Sequence, residues 1–238
     1  MRKLSSEDFS RFTRHFSLAE IGQEGQEKIK NSRVLVIGAG GLGSPLLIYL
    51  AAAGIGTIGI VDDDVVSISN LQRQILYTTA EVGSKKVEIA SKKLKALYPE
   101  IEIQLFDWRL NEENAEILFQ DYDVIADCTD NYKTRALIGQ VSAKFKKPLA
   151  YASVLNYEGQ ISVFNFEGGP AVSDLYPNIP KDGIYKENEI GLLGVLPGIA
   201  GTLQANEIIK IITGYGEIIS EKLLVFNIQE NRFNLFRF

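Results

Sequence analysis

The chain has 238 residues, 45% of them hydrophobic, and a formal net charge of −5. A prior of roughly 150 residues per domain gives one or two domains, and the acidic balance does not advertise nucleic acid or an anionic membrane as partner. One cysteine, Cys128, and one histidine, His15, exclude an internal disulfide, a cysteine-only zinc site and a His-rich metal site.

No run of about 18 apolar residues implies a transmembrane helix. The N-terminal MRKLSSEDFSRFTRHF lacks the apolar core of a secretory signal. A soluble cytoplasmic protein is therefore expected. Residues 1–31 are polar and predicted helical in pieces. RVLVIG (33–38) reads as a buried parallel strand, LGSPLLIYLAAAG (42–54) as a helix capped by Gly54, and TIGIVD (57–62) as a second buried strand. Ser84 is placed to cap a helix with Val87, Ala90, Leu94 and Leu97 on one face.

IEIQLF (101–106) follows as a strand, then a helix near 111–119, the strand YDVIADC (122–128), a helix over 131–146, and strands at 148–154 and 160–166. Residues 167–190, with Pro170, Pro177 and Pro180, carry no clear period and read as a long loop. Beyond them, 192–213 reads as one helix or a pair, and KLLVFN (222–227) with RFNLFRF (232–238) as an antiparallel hairpin. Alternating strands and helices predict an α/β fold: a Rossmann-like doubly wound, mostly parallel sheet continued by antiparallel C-terminal strands, in one domain.

Gly38-Ala39-Gly40-Gly41-Leu42-Gly43 fits G-x-G-x-x-G between a strand and a helix. Glycines there allow a tight turn and close backbone approach, and the following helix N-terminus favours an anionic phosphate. Asp62 ends the next strand, where an acidic residue binds ribose hydroxyls. A nucleotide site is implied, and a dinucleotide-dependent oxidoreductase is the generic reading.

The residues beyond Asp62 point elsewhere. SNLQRQ (69–74) and SKKVE (84–88) supply Asn70, Arg73 and Lys86, and DCTDN (127–131) sets Asp130 and Asn131 at the carboxyl end of a later strand. Backbone amides suffice for a dinucleotide pyrophosphate, whereas a magnesium triphosphate wants Arg and Lys on its phosphates and a carboxylate on the metal. Taken singly, Arg73 and Lys86 read as solvated surface groups and Asp130-Asn131 as a helix-capping pair. Their joint spacing carries the argument.

RFTRHF (11–16), GQEGQEKIKNSRVLVIGAGGLGSP (22–45), DDDVVSISNLQRQILY (62–77), VGSKKVE (82–88), DCTDN, YEGQISVF (157–164) and GIAGTLQANEIIKIITG (198–214) resemble the ThiF/MoeB/HesA family over nearly the whole chain. The nucleotide-binding fold of that family is shared with ubiquitin-activating enzymes. The resemblance implies ATP-dependent adenylation of the C-terminal carboxylate of a small ubiquitin-like sulfur-carrier protein ending in Gly-Gly, for thiamine or molybdopterin synthesis. It implies that Gly41 lets the backbone pass the α-phosphate and that Asp62 holds the ribose. Ser69, Asn70, Leu71, Arg73, Lys86, Asp130 and Asn131 complete the nucleotide site. Arg73 and Lys86 neutralise the phosphates, Asp130 organises magnesium, and Arg14 reaches a neighbouring subunit's site in a homodimer. His15, where relatives often carry glutamine, is expected at a subunit contact.

Many relatives hold zinc with two Cys-x-x-Cys pairs. Ala171 and Asp174 stand where the first pair would fall, and the second would lie past Phe238, so a zinc-free member is expected. Some relatives use a loop cysteine for a persulfide or acyl link, and 155–238 holds none, so sulfur is expected from another protein. Cys128 reads as a small core residue. The 167–190 loop is the expected path for the carrier's tail. Three other functions compete: a tRNA threonylcarbamoyladenosine dehydratase, disfavoured by the net charge of −5; a nicotinamide-dependent oxidoreductase; and a catalytically silent carrier-binding dimer.

Overall fold

A computed structural model of the chain describes residues 2–178 and 191–238. Three helices open it, α1 (Ser6–Arg11), α2 (Thr13–Phe16) and α3 (Gly22–Asn31). The next elements are β1 (Arg33–Ile37), α4 (Gly43–Ala53), β2 (Thr57–Val61), α5 (Lys86–Leu97), β3 (Glu102–Phe106), α6 (Glu112–Gln120), β4 (Val124–Asp127) and α7 (Tyr132–Lys144). β5 (Leu149–Leu155), β6 (Glu158–Phe164), the short α8 (Val172–Leu175), α9 (Val195–Thr213), β7 (Lys222–Asn227) and β8 (Arg232–Arg237) complete it.

The eight strands form one sheet in the order β3-β2-β1-β4-β5-β6-β7-β8. The first five run parallel and the last three continue antiparallel. β2 and β4 are buried along their whole length, which is why they read as unbroken apolar runs: both faces are covered. One core cluster packs α3, α4, α5 and α9 on one face of the sheet, and the other packs α6, α7 and α8 on the opposite face. The chain leaves β1 toward β2 on one side and returns to β4 on the other. The carboxyl ends of β1 and β4 therefore flank the crevice where such sheets bind ligands.

Most predicted elements are present within a residue or two. Gly54 caps α4 in the left-handed region, at φ 91°. The helix expected to start at Ser84 opens instead at Lys86, with Lys85 as N-cap and no side-chain cap bond. The reason is a short antiparallel ladder: Val66 N donates to Ser84 O (2.9 Å), Val65 bridges Lys85, and Lys86 N donates to Asp64 O (3.1 Å). Residues 195–213 make one helix rather than two, because Pro197 sits in its first turn, where no backbone N–H is needed. The segment expected as plain loop contains α8, and residues 179–190 of it lie outside the described residues.

The polar N-terminus docks through a buried ion cluster. Asp8 is fully buried and accepts hydrogen bonds from Lys30 Nζ, Ser5 N (2.8 Å) and Tyr98 Oη (3.0 Å), while Lys30 also donates to Glu100 (2.6 Å). At the opposite end of the sheet β8 is exposed throughout, with Phe233 stacked on the buried Phe226 at 5.3 Å between ring centroids. No helix among the described residues is long and apolar enough to cross a membrane.

Candidate nucleotide site

The glycine loop is stitched between neighbouring strands. Gly38 N donates to Val61 O and Cys128 N to Ile37 O, both at 2.9 Å. Gly38 adopts φ 98°, and a Cβ there would meet Cys128 O at 2.6 Å. A Cβ on Gly43 would stand 2.1 Å from Gly38 O, so the start of α4 closes directly onto the loop. Tyr77 Oη donates to Ala39 O (2.9 Å) from beneath. Burial, together with the charges of Asp62 and Asp64, pushes the Tyr77 phenol well above its usual range, so it remains a donor.

Asp62 follows β2 and takes two backbone N–H groups, from Ala39 (2.7 Å) and Asp64 (3.0 Å). Burial raises its pKa despite those bonds and the Lys86 charge, which act against it. Lys86 is not the solvated group its residue type suggests. Its side chain is 3% exposed and its ammonium lies 2.7 Å from Asp64 Oδ2 and 4.0 Å from Asp62 Oδ1. The 64–66/84–86 ladder produces this by setting Lys86 at the first position of α5.

The SNLQRQ segment folds into tight turns in which Asn70 O accepts from Arg73 N (3.0 Å) and Gln74 N (2.9 Å). Ser69 and Leu71 sit in the same turns, and Arg73 Nη1 donates to Ser69 O at 3.3 Å. A Cβ on Gly41 would meet Arg73 Cγ at 3.4 Å and Pro197 at 3.3 Å, so Gly41, Arg73 and the start of α9 share one wall. Asp130 is exposed just beyond β4. Asn131 commits its side chain to capping α7, accepting from Thr134 N at 2.9 Å. Of the two, then, Asn131 takes the helix cap.

Arg14 is exposed on α2, and among the described residues no hydrogen bond or ion pair joins it to the glycine loop, Asp62, Arg73 or Lys86. Asp130 is likewise bonded to neither Arg73 nor Lys86 among the described residues. His15 packs inside its own chain, stacked on Phe12 (5.6 Å) with Nδ1 2.7 Å from Gln26 Oε1. Ala171 N donates to Asp174 Oδ2 (2.7 Å) in the first turn of α8, and the described residues hold no cluster of three metal-ligating side chains.

Several residues around the site make bonds that the sequence motifs do not announce, and Cys128 is the small core residue expected. Gln204, buried on α9, donates to Asp127 O (2.8 Å) and Ala150 O (2.9 Å) and accepts from Cys128 Sγ (3.3 Å). Cys128 is buried, and burial with the adjacent Asp127 charge pushes its thiol pKa far up, leaving it unreactive. Asp127 Oδ1 accepts from Thr129 N (3.0 Å) and Thr129 Oγ1 (2.6 Å), and Arg135 Nη2 donates to Thr129 O (2.6 Å). Gln74 is buried beside Gly40. Asp127, Cys128 and Thr129 lie in DCTDN, Gln204 in GIAGTLQANEIIKIITG and Gln74 in SNLQRQ, but those motifs do not announce these bonds, and Arg135 lies outside them all.

Three buried side-chain atoms among the described residues lack a hydrogen-bond partner: Ser44 Oγ, Gln74 Oε1 and Asp127 Oδ2. The first two flank the glycine loop, and the third lies behind the turn bearing Asp130. Two open hollows lie elsewhere. One of about 480 Å³ runs between Phe166–Gly169 and Glu217–Lys222, and one of about 370 Å³ between α7 and α8; neither touches Gly41, Asp62, Arg73, Lys86 or Asp130. The crevice is a better candidate than either, because the glycine loop, the Asp62 carboxylate and the Lys86 ammonium meet there, with Arg73 against Gly41.

The ThiF family model matches residues 12–238. A probable molybdopterin-synthase adenylyltransferase of Porphyra purpurea is 46% identical over 235 residues, covering 98% of this chain and 62% of its own length. A sulfur carrier protein adenylyltransferase of Thermus thermophilus is 39% identical over 235 residues, covering 96% of this chain and 87% of its own. The crystal structure of E. coli MccB with MccA-N7isoASN superposes with TM-score 0.85 at 21% identity, over 98% of this chain and 72% of that one, a likeness of fold. The chain thus spans about three fifths of the length of the Porphyra relative and most of the Thermus one. On the family match and these identities, the chain belongs to the ThiF family.

Proposed function

We propose that this chain uses ATP and magnesium to adenylate the C-terminal carboxylate of a small ubiquitin-like sulfur-carrier protein ending in Gly-Gly. The carrier is of the kind used in thiamine or molybdopterin synthesis, and the enzyme works in the cytoplasm as a homodimer. The observation that carries the reading is Lys86: a buried ammonium beside the ribose carboxylate, held by an exposed Asp64 that a phosphate can replace. In a nicotinamide site where this carboxylate takes the ribose hydroxyls, no phosphate is left beside it for such a cation to meet. The names of the Porphyra and Thermus relatives support the same chemistry.

In this reading the carrier carboxylate attacks the α-phosphorus, pyrophosphate leaves, and an acyl-adenylate forms. Two anions must meet, so cations fixed before the reaction supply most of the barrier reduction. The carboxylate is already ionised at neutral pH and needs no general base. Gly41 lets the backbone pass the α-phosphate, Asp62 holds the ribose, and Ser69, Asn70 and Leu71 shape the wall. Arg73 and Lys86 neutralise phosphate oxygens, and Arg14 of the neighbouring subunit adds a third cation. Asn131 contributes its backbone position while its side chain caps α7. Asp130, an exposed carboxylate suited to a hard cation, holds magnesium, which when bound neutralises phosphate charge.

The chain then acts as one adenylation domain: an N-terminal helical segment (1–31), a nucleotide half (32–154) and a carrier half (155–238). The 167–190 segment borders the path of the carrier's tail. ATP–pyrophosphate exchange, dependent on magnesium and on a Gly-Gly carrier, tests the proposal. Absence of exchange with every such carrier would sink it, as would wild-type exchange in Arg73→Ala.

A further inference from the structure

Asp130 is exposed and has no hydrogen bond of its own among the described residues, so its aim depends on the backbone of the turn that bears it. That turn, Asp127–Asn131, is held from within. Gln204 grips the Asp127 carbonyl, Asp127 Oδ1 holds Thr129 N and Oγ1, and Asn131 caps α7. Cys128 N donates to Ile37 O (2.9 Å) and Cys128 Sγ to Gln204 Oε1 (3.3 Å). Thr129 O, the carbonyl next along, is held by Arg135, one helical turn into α7. Its guanidinium donates to Thr129 O (2.6 Å), lies 3.6 Å from Asp127 Oδ2, and has its central carbon over the Tyr151 ring, 4.8 Å from the centroid.

Asp127 is fully buried, and its Oδ2 has no hydrogen-bond partner, so Arg135 is the cation that compensates it. A buried ion pair is by itself weak evidence of stabilisation. What distinguishes this one is its second bond, to the carbonyl directly before Asp130. A charge alone would compensate Asp127; only the planar fork reaches Asp127 and Thr129 O together while its centre lies over Tyr151.

We infer that Arg135 is a positioning residue for the adenylation site, fixing the Thr129 carbonyl so that the Asp130 carboxylate faces the phosphates. The inference rests on the proposed role of Asp130. Arg135 itself touches no reacting group. It acts as an outer hydrogen-bond partner does around a metal ligand, where loss of such support costs about 10–100-fold in metal affinity.

The test uses the full chain as wild type, Arg135→Lys and Arg135→Met. Calorimetry follows the binding of AMP without metal and of ATP across a magnesium titration, alongside thermal melting and carrier-dependent exchange. Arg135→Lys keeps a charge for Asp127 and is expected to melt near the wild type and bind AMP unchanged. The magnesium concentration that half-saturates ATP binding should nevertheless rise about tenfold or more, with exchange falling through kcat at constant KM for the carrier. Arg135→Met should show the same shift if it folds, and the lysine variant decides if it does not. A lysine variant with the wild-type magnesium requirement overturns the inference. So does a loss of AMP binding in step with melting temperature, which marks a purely structural role. A wild type with no magnesium-dependent ATP binding removes the functional proposal as well, and so is distinguishable from the first outcome.

Discussion

The Lys86 ammonium lies 2.7 Å from one carboxylate, Asp64, and 4.0 Å from another, Asp62, with only 3% of its side chain exposed. The exposed Asp64 holds the lysine in place, and the buried Asp62 depends on its charge. Lys86→Met should lower exchange by about 100- to 1000-fold, the cost of removing one preorganised donor.

The same substitution has a pH signature. Asp62 already titrates above its ordinary value, chiefly through burial, so its contribution to stability is full below the unfolded pKa near 3.8 and is lost as pH rises through the folded one. Removing Lys86 raises the folded value further and extends the loss to higher pH. Melting temperatures from pH 3 to 7 should converge for wild type and variant at the acid end and diverge toward neutrality. Parallel curves would refute this assignment.

Gly43 and Gly41 should respond differently to alanine. At Gly43 the new Cβ stands 2.1 Å from Gly38 O and the backbone must move, an overpacking cost of about 1–3 kcal/mol. At Gly41 the contacts are 3.3–3.4 Å, to Pro197 and the Arg73 side chain, which yield by a few tenths of an ångström. Gly41→Ala should fold with nearly wild-type melting and lose ATP affinity, whereas Gly43→Ala should lose both.

Tyr77→Phe removes the hydrogen bond to Ala39 O and leaves that carbonyl without its donor. A cost of about 1–3 kcal/mol in stability follows from the unsatisfied buried acceptor. Because Ala39 N also serves Asp62, the KM for ATP should rise while kcat changes less. Steady-state kinetics in both parameters check the split.

The N-terminal cluster should give an acid limb. Burial pushes the Asp8 carboxyl up, but the hydrogen bonds from Lys30, Ser5 N and Tyr98 more than offset it and the net pKa is lowered. Its stabilisation is therefore present above the unfolded value near 3.8 and lost as pH falls through the lowered folded one. Lys30→Met, which leaves Asp8 buried without its cation, should cost about 3–5 kcal/mol near neutrality. The penalty should shrink below pH 4, as read by denaturant unfolding across pH.

The strands were legible because β1, β2 and β4 are covered on both faces and so stand out as unbroken apolar runs in the sequence. The glycine loop and Asp62 were legible because their spacing follows from local turn geometry. The burial of Lys86 was not, since it depends on a ladder between residues 64–66 and 84–86 that no local pattern encodes. Ser84 has the right residue type for a cap, yet the ladder takes up its carbonyl and the helix starts two residues later. Arg135 and Gln204 were hidden for a related reason: each sits within a helix, and the Asp127 carbonyl that Gln204 holds is 77 positions away in the chain. The Asp8–Lys30–Glu100 cluster was not legible, because only the docking of α1 brings its members together.

Gln204 has one more consequence. Its single amide grips carbonyls on β4 and β5, the last two members of the parallel array, while α9 also leans on β6, where the antiparallel strands begin. A rotation of α9 would therefore act as a lever arm with its short end at Asp127. A displacement of that helix would bear on the Asp127 end of β4 and on β5 together, because one amide holds both carbonyls.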